Sequence, residues 1–271
     1  MSRSMTTRGA VKALMLVALG GAVGAGGTYA IRAGVHPLDR ITTHGEWVKF
    51  ANAKGDSIRA YVAYPERKDA APAVIVIHEI FGLTDWEPTV VDKLAGAGYV
   101  AIVPDLQSSH YGASPADPDS GRKITALLVP DDVTADLDAT FGYITSLPSV
   151  KKNAVATIGF CWGGGQSFRY ATNNPKLKAA VVCYGPPPDS AGLSRIHIPI
   201  LGIYGENDNR IASTLGDVTA RLKAQGVPFP HDSYPGTGHG FLKPGRKGSD
   251  TDQVGKAWDA IFGFYHQYLD K

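Results

Sequence analysis

Ala154-Val155-Ala156-Thr157-Ile158-Gly159-Phe160-Cys161-Trp162-Gly163-Gly164-Gly165 is an apolar, strand-like run that ends in Gly-x-Cys-x-Gly, and a helix-compatible segment follows at once. The glycines predict a tight strand-to-helix turn, because a Cβ at residue 159 or 163 would crowd it. Such a turn exposes the middle side chain at the carboxyl edge of a sheet, where the N–H of Trp162 can face a developing oxyanion. Cys161 is therefore a candidate nucleophile; a buried cysteine beside a glycine-rich bend is the alternative.

The composition of the 271-residue chain is that of an ordinary globular protein, with 44% hydrophobic and 19% charged residues. The formal net charge is +2, and no basic cluster typical of recognition occurs beyond the first dozen residues, so nucleic-acid partners are not expected. Two cysteines are too few for a disulfide framework. Cys183 lies in an apolar run and is predicted to be a core residue; a disulfide with Cys161 would consume the proposed nucleophile.

Residues 1–34 differ in composition from the rest of the chain. Basic residues precede an apolar run from Ala13 to Ile31, which is the layout of a basic n-region and an apolar h-region. We predict a signal peptide or an N-terminal membrane anchor, with residues 35–271 exported, periplasmic or membrane-anchored outside the cytoplasm. Thr28-Tyr29-Ala30 offers a small-residue cleavage site, whereas the 19-residue run is just long enough to span a bilayer uncleaved, so both alternatives stay open.

Alternating strand and helix patterns over residues 35–271 predict a single α/β domain with a mostly parallel, doubly wound sheet and helices on both faces. An antiparallel pair opens it, because Glu46–Phe50 and Ile58–Tyr64 alternate in polarity around a hairpin-type turn. The segment Gln107–Pro130 is polar and rich in Gly, Ser, Pro and Asp, so we predict a long loop that lies over the carboxyl edge of the sheet and shapes a pocket.

Three residues with nucleophile, acid and base chemistry follow three different predicted strands: Cys161, then Asp208, then His239. Exit loops of parallel strands share one edge of the sheet, so these side chains can meet. Their order is that of the α/β-hydrolase triad, in which the histidine takes the nucleophile's proton and the carboxylate orients the imidazole. Taken singly, Asp208 and His239 are also ordinary turn residues.

Glu79 directly follows the predicted strand Ala73–His78, at the same edge of the sheet, where it is either part of a ligand site or a solvated loop carboxylate. A metal site built from His78, Glu79 and His239 is a weaker interpretation, because the paired-histidine helix signature is missing. No metal or cofactor is expected, since neither a GxGxxG at a first strand turn nor a phosphate-binding P-loop motif occurs.

At these motifs the sequence resembles the dienelactone hydrolase (carboxymethylenebutenolidase) family of the α/β-hydrolase superfamily. The resemblance covers roughly residues 45–270 and rests on His78-Glu79-Ile80-Phe81-Gly82, Gly159-Phe160-Cys161-Trp162-Gly163-Gly164, Gly205-Glu206-Asn207-Asp208 and Gly238-His239-Gly240-Phe241. It implies an α/β-hydrolase fold and a carboxylic ester hydrolase that cleaves a small-molecule ester or lactone through a thioester acyl-enzyme. The implied roles are a triad of Cys161, Asp208 and His239, an oxyanion hole of the Ile80 and Trp162 backbone N–H groups, and a Glu79 that holds the resting thiol and helps to ionise it.

The sequence departs from the family at the clamp for the substrate carboxylate. Members that act on dienelactone resemble one another in two arginines, one shortly after the histidine and one in the long loop. Here Lys243 lies four residues after His239, and no arginine occurs around Tyr111. A lysine cannot make the bidentate contact of an arginine, and Arg122 is too far along the chain to be matched. Lys243 and Tyr111 are the substrate-binding candidates, and an ester or lactone other than dienelactone is the expected substrate.

A non-enzymatic function is the alternative from a different class. An envelope protein could use the same scaffold for redox sensing or ligand binding, with Cys161 reacting with oxidants but taking no part in catalysis. Loss of ester turnover on removal of the Cys161 thiol would favour the enzyme.

Overall fold

The computed structural model describes residues 43–270, and the predicted signal peptide or membrane anchor lies outside them. The strands are β1 (His44–Ala51), β2 (Ser57–Tyr64), β3 (Ala71–Ile77), β4 (Val100–Pro104), β5 (Val150–Phe160), β6 (Ala179–Cys183), β7 (Ile200–Gly205) and β8 (His231–Tyr234). The helices are α1 (Trp86–Gly96), α2 (Ser108–Tyr111), α3 (Pro118–Thr125), α4 (Pro130–Ser146), α5 (Trp162–Asn173), α6 (Ser190–Leu193), α7 (Asn209–Ala224) and α8 (Gln253–Leu269). Within residues 43–270, no helix is both long enough and apolar enough to cross a bilayer.

The eight strands form one sheet in the order β1-β2-β4-β3-β5-β6-β7-β8. The pairs β1–β2 and β2–β4 are antiparallel, and the other neighbours are parallel. The predicted opening hairpin is confirmed, with Trp47 opposite Tyr61. After β3 the chain moves to β4 on one side, then crosses to β5 on the other. Such a reversal opens a crevice beyond the carboxyl ends of the strands, which is where ligands bind in doubly wound sheets.

Central strand β3 shows why the sheet is covered on both faces. Ile75 and Ile77 pack into a core with α4, α5 and α7, whereas Val74 and Val76 pack into a second core with α1 and α8. All four side chains are fully buried. Burying a Val or Ile side chain stabilises a fold by about 1.5–3 kcal/mol, so a continuously apolar strand is favoured only between two helix layers.

The predicted long loop at Gln107–Pro130 is not a continuous loop, because the segment contains α2 and α3. Helix α3 begins at a capped position: the Asp117 carboxylate accepts a hydrogen bond from the Ser120 N–H at 2.9 Å. The amide of Gln107 donates to the Gly121 carbonyl at 2.8 Å, and Gly121 lies against the backbone of Phe81 with no room for a Cβ. These contacts hold α3 against the loop that follows β3.

We expect Gly163→Ala and Gly263→Ala to change stability in opposite directions, although both replace a glycine within a helix. A Cβ at Gly163 would collide with the backbone of Ile77 and His78, whereas nothing lies within 4 Å of a Cβ at Gly263. Gly163→Ala should lower the free energy of unfolding by about 2 kcal/mol through overpacking. Gly263→Ala should raise it by up to about 1 kcal/mol through helix propensity. Urea unfolding measures both, and equal effects of the two substitutions would contradict the packing.

Candidate active site

Cys161 lies on the predicted strand-to-helix turn between β5 and α5, in a backbone conformation that L-residues rarely adopt. Its φ is 56° and its ψ is −114°. A Cβ at Gly159 would collide with the carbonyl of Gly163, so the turn closes only with glycine there. The Cys161 N–H donates to the Cys183 carbonyl at 3.0 Å, and both cysteines are free thiols. A strained residue held this firmly between two elements is typical of a functional site.

The structure brings Asp208 and His239 together beside Cys161. Asp208 precedes α7 and is nearly buried, and its Oδ2 lies 2.6 Å from Nδ1 of His239 in the loop after β8. Burial lowers the pKa of His239, but hydrogen bonds with Cys161 and with Asp208 raise it, and the net pKa lies above the ordinary 6.5. The ring therefore donates from Nδ1 to the carboxylate and leaves Nε2 available to the thiol.

The His239 ring packs against Tyr184, a residue that the sequence did not indicate. Their ring centroids are 5.1 Å apart in an edge-on arrangement. Tyr184 directly follows β6, is fully buried and has a φ of 44°. Within residues 43–270 its hydroxyl has no hydrogen-bond partner. The sequence signal is only a tyrosine at a strand end, which is too common to single out a site residue.

Of the predicted oxyanion-hole residues, Ile80 lies in the loop after β3 and Trp162 begins α5, and the end of β3 contacts the start of α5. Gly163 packs directly against the carbonyls of Ile77 and His78. Trp162 is the first residue of α5, so its N–H has no intrahelical acceptor. Among the backbone hydrogen bonds of turns, loops and helix caps in residues 43–270, none is donated by the Ile80 N–H or by the Trp162 N–H. An N–H group without such a partner is available to a developing negative charge.

Glu79 is not a solvated loop carboxylate. Its side chain is 3% exposed and forms an ion pair with Lys243 at 2.8 Å, and the Lys243 side chain is itself only 18% exposed. The ammonium group also lies 5.0 Å from the centre of the Trp86 ring. The implied contact between Glu79 and the Cys161 thiol stays a prediction; in the structure this carboxylate accepts a hydrogen bond from Lys243.

A metal does not fit at His78. Its Nδ1 lies 2.7 Å from the Glu79 carbonyl oxygen, and its Nε2 lies 3.3 Å from the Leu106 N–H. Both ring nitrogens are therefore engaged by the backbone, which leaves no lone pair for a metal ion. Within residues 43–270, no group of three or more His, Cys, Asp or Glu side chains is arranged to hold a metal ion.

Three cationic side chains surround the Phe81 ring, and we call Arg122, Lys243 and Arg246 the cation cluster. Their charged groups lie 5.4, 5.6 and 5.9 Å from the ring centre, in that order. Arg122 could not be matched from sequence and Arg246 was not predicted, because α3 and the loop after His239 reach Phe81 only through tertiary packing. Tyr111, the other substrate-binding candidate, ends α2 and is 46% exposed.

The strand order and the strand-to-helix turn at Cys161 are those of the α/β-hydrolase fold. Residues 58–269 match the sequence profile of the dienelactone hydrolase family. The chain belongs to this family of hydrolases, as its resemblance at the four motifs predicted.

Individual relatives agree with this assignment. The chain is 32% identical over 238 residues to a Salmonella typhimurium protein named "Putative carboxymethylenebutenolidase", a match that covers 81% of this chain and 86% of the relative. A "Putative Dienelactone Hydrolase" of Klebsiella pneumoniae superposes with a TM-score of 0.74 at 26% identity, covering 84% of this chain and 100% of that one. A dienelactone hydrolase-like promiscuous phosphotriesterase from metagenomic libraries gives the same TM-score at 21% identity over 84% of this chain and 99% of that one, which supports the fold alone.

Asp208→Asn is expected to lower the pKa of His239, because the carboxylate is one of the groups that raise it. In the wild type the raised pKa keeps the imidazole protonated to a higher pH, so a reaction that needs a neutral imidazole should lose rate as the pH falls through a value above 6.5. Nuclear magnetic resonance titration of the ring protons measures the shift. Asp217→Asn, on the exposed ion pair with Arg221, is the matched control and should leave His239 unchanged. An unchanged pKa in Asp208→Asn would contradict the assigned contact.

Proposed function

We propose that this protein hydrolyses a carboxylic ester or lactone through a Cys161-His239-Asp208 triad and a thioester acyl-enzyme. The observation that carries the proposal is the 2.6 Å contact between Asp208 and His239 next to the strained turn that presents the thiol. A free thiol is mostly protonated near neutral pH, so it needs an adjacent base to become a nucleophile. His239 supplies that base, and Asp208 holds its ring in the productive tautomer.

The proposed cycle has two halves. His239 takes the thiol proton while the Cys161 sulfur attacks the substrate carbonyl carbon, and the resulting oxyanion accepts hydrogen bonds from the Ile80 and Trp162 N–H groups. Collapse breaks the ester C–O bond, and the protonated imidazole returns its proton to the leaving alcohol. Water then attacks the thioester, with His239 as its base, and the acid and the free thiol are released.

Glu79 is proposed as a second proton acceptor for the thiol, as the family resemblance implies. Its burial supports a role inside the site, but the ion pair with Lys243 now occupies the carboxylate. Glu79 and a substrate carboxylate would therefore compete for the same ammonium group. Lys243 is accordingly proposed both as the counter-ion of Glu79 and as a contact for substrate.

We also propose that the substrate carries an anionic group, and the cation cluster supports this. Arg122 and Arg246 are exposed and approach the same ring as Lys243. Within residues 43–270, neither arginine is within ion-pair distance of a carboxylate. An anionic substrate group could thus find guanidinium groups without displacing a protein carboxylate. Tyr111 stays a candidate for the same end of the substrate.

The location of the enzyme is a further part of the proposal. The basic and apolar layout of residues 1–34 supports export, with the catalytic domain outside the cytoplasm and membrane attachment if the segment is retained. The alternative is a redox-sensing or ligand-binding protein that uses Cys161 without turnover. Ester hydrolysis rates of a variant without the Cys161 thiol distinguish the two.

Cys161→Ala is expected to abolish both the burst of 4-nitrophenol and the steady-state turnover of 4-nitrophenyl acetate. The burst reports formation of the acyl-enzyme, which needs the thiol. Cys183→Ala is the matched control, since Cys183 is fully buried in β6, and it should keep the burst. Stopped-flow absorbance measures both phases. Turnover that survives in Cys161→Ala would remove Cys161 from the mechanism, and a wild type that reacts with peroxide but not with the ester would favour the sensor.

Arg246→Gln and Arg122→Gln are expected to raise the KM for an anionic ester and leave a neutral one unaffected. The mono-4-nitrophenyl ester of succinic acid and 4-nitrophenyl butyrate are suitable probes. The guanidinium groups are exposed, so we expect about a fivefold increase in KM per arginine for the anionic ester. Lys176→Gln, an exposed lysine beyond the end of α5, is the matched control. Equal changes in KM for both esters would mean that the arginines do not recognise charge.

A further inference from the structure

His78 is a fully buried side chain to which neither the triad nor the cation cluster assigns a role. It is 0% exposed and lies directly after β3. Its Nδ1 is 2.7 Å from the Glu79 carbonyl oxygen, and its Nε2 is 3.3 Å from the Leu106 backbone nitrogen. Its ring is stacked on the Trp162 indole, with centroids 5.4 Å apart and planes inclined by 18°. One imidazole thus joins the loops that follow β3, β4 and β5.

These partners fix the tautomer of the ring. A carbonyl oxygen can only accept a hydrogen bond, and a backbone N–H can only donate one. The hydrogen of His78 is therefore on Nδ1, where it is donated to Glu79, and the lone pair of Nε2 accepts from Leu106. Exchange of the two nitrogens would break both contacts.

The hydrogen bond to Glu79 constrains the proposed catalytic amide of Ile80. The Glu79 carbonyl and the Ile80 N–H belong to the same planar peptide unit and point in opposite directions from it. Holding that oxygen consequently sets the direction of the Ile80 N–H. The Glu79 oxygen also accepts from the Gly82 N–H at 3.2 Å, so two donors hold the plane.

His78 contacts the second proposed amide as well. Its ring covers the side chain of Trp162, the residue that follows the nucleophile. Its backbone carbonyl lies against Gly163, where a Cβ would collide with it. The two proposed oxyanion-hole residues follow separate strands; His78 donates a hydrogen bond to the peptide unit that contains the Ile80 N–H, and its ring stacks on Trp162.

We propose that His78 is a positioning residue of the oxyanion hole: its Nδ1–H, donated to the Glu79 carbonyl, orients the Ile80 amide. His78 touches neither substrate nor thiol in this role, and it acts by stabilising the oxyanion that forms on the substrate carbonyl. The inference rests on the proposed ester hydrolysis.

Two substitutions separate hydrogen bonding from packing. His78→Gln keeps one amide donor for Glu79 and one oxygen acceptor for Leu106, whereas His78→Phe keeps a ring for Trp162 but loses both hydrogen bonds. We expect His78→Phe to lower kcat by about 10- to 100-fold with little change in KM, since a misplaced oxyanion donor weakens the transition state more than the ground state. His78→Gln should keep kcat within about threefold of wild type, because both hydrogen bonds are retained.

The rate at which iodoacetamide alkylates Cys161 is the control measurement. A general structural defect of the site would change this rate, whereas loss of the oxyanion hole alone would not. In that reaction the sulfur forms a bond to carbon and iodide leaves, so no oxyanion forms. The alkylation rate of His78→Phe should therefore equal that of the wild type while its ester turnover falls. The inference is overturned if both rates fall together, if His78→Phe keeps its kcat, or if His78→Gln loses as much kcat as His78→Phe.

A measurement on the wild-type protein needs neither a variant nor turnover. The nitrogen-15 chemical shifts of the His78 ring report its tautomer, and we expect the hydrogen on Nδ1. A ring with its hydrogen on Nε2 would overturn the inference even in an active enzyme. Absence of ester turnover in the wild type, with the Nδ1–H tautomer present and with the Ile80 amide resonance shifted in His78→Phe but not in His78→Gln, would instead reject the proposed function and leave the positioning contact supported.

Discussion

Close packing between the end of β3 and the first turn of α5 is the constraint on which the site depends. Gly163 lies against the carbonyls of Ile77 and His78 with no room for a side chain. This contact holds Cys161 at a φ of 56°, a conformation that costs of order 1–3 kcal/mol and persists only where the surroundings determine it. Here the surroundings are β3, which is buried along its whole length, and the buried carboxyl end of β5, so the core holds the thiol in this position.

Charge compensation is the second physical condition that the site meets. An unpaired carboxylate at the depth of Glu79 would be strongly unfavourable, and Lys243 supplies the opposite charge at 2.8 Å. Asp208 plays the same part for His239, where charge and hydrogen bonding outweigh the effect of burial and raise the pKa of the ring. Asp208 and Glu79 are thus both paired with a basic group, whereas the exposed arginines of the cation cluster form no ion pair within residues 43–270.

Sequence patterns predicted most of the fold because the signals are local. Continuous apolar runs such as β3, alternation in β1 and β2, and glycines around Cys161 each depend on neighbours within a few residues. The positions of Asp208 and His239 directly after two predicted strands were enough to predict that both lie at the carboxyl edge of the sheet. The N-cap of α3 at Asp117, followed by a proline, is a local sequence signal for the start of this helix. The partner of Glu79, the proximity of Arg246 to Phe81 and the contact of Tyr184 with His239 depend on tertiary packing and leave no pattern in the sequence.

The central claim is that the sulfur of Cys161 carries the acyl group during turnover. Acid quenching of the protein during hydrolysis of a slow aryl ester, followed by peptide mass spectrometry, tests it most directly. The account predicts that the peptide containing Cys161 gains the mass of one acyl group and loses it again on treatment with hydroxylamine. Turnover with an unmodified Cys161, or with the acyl group on another residue, would contradict it.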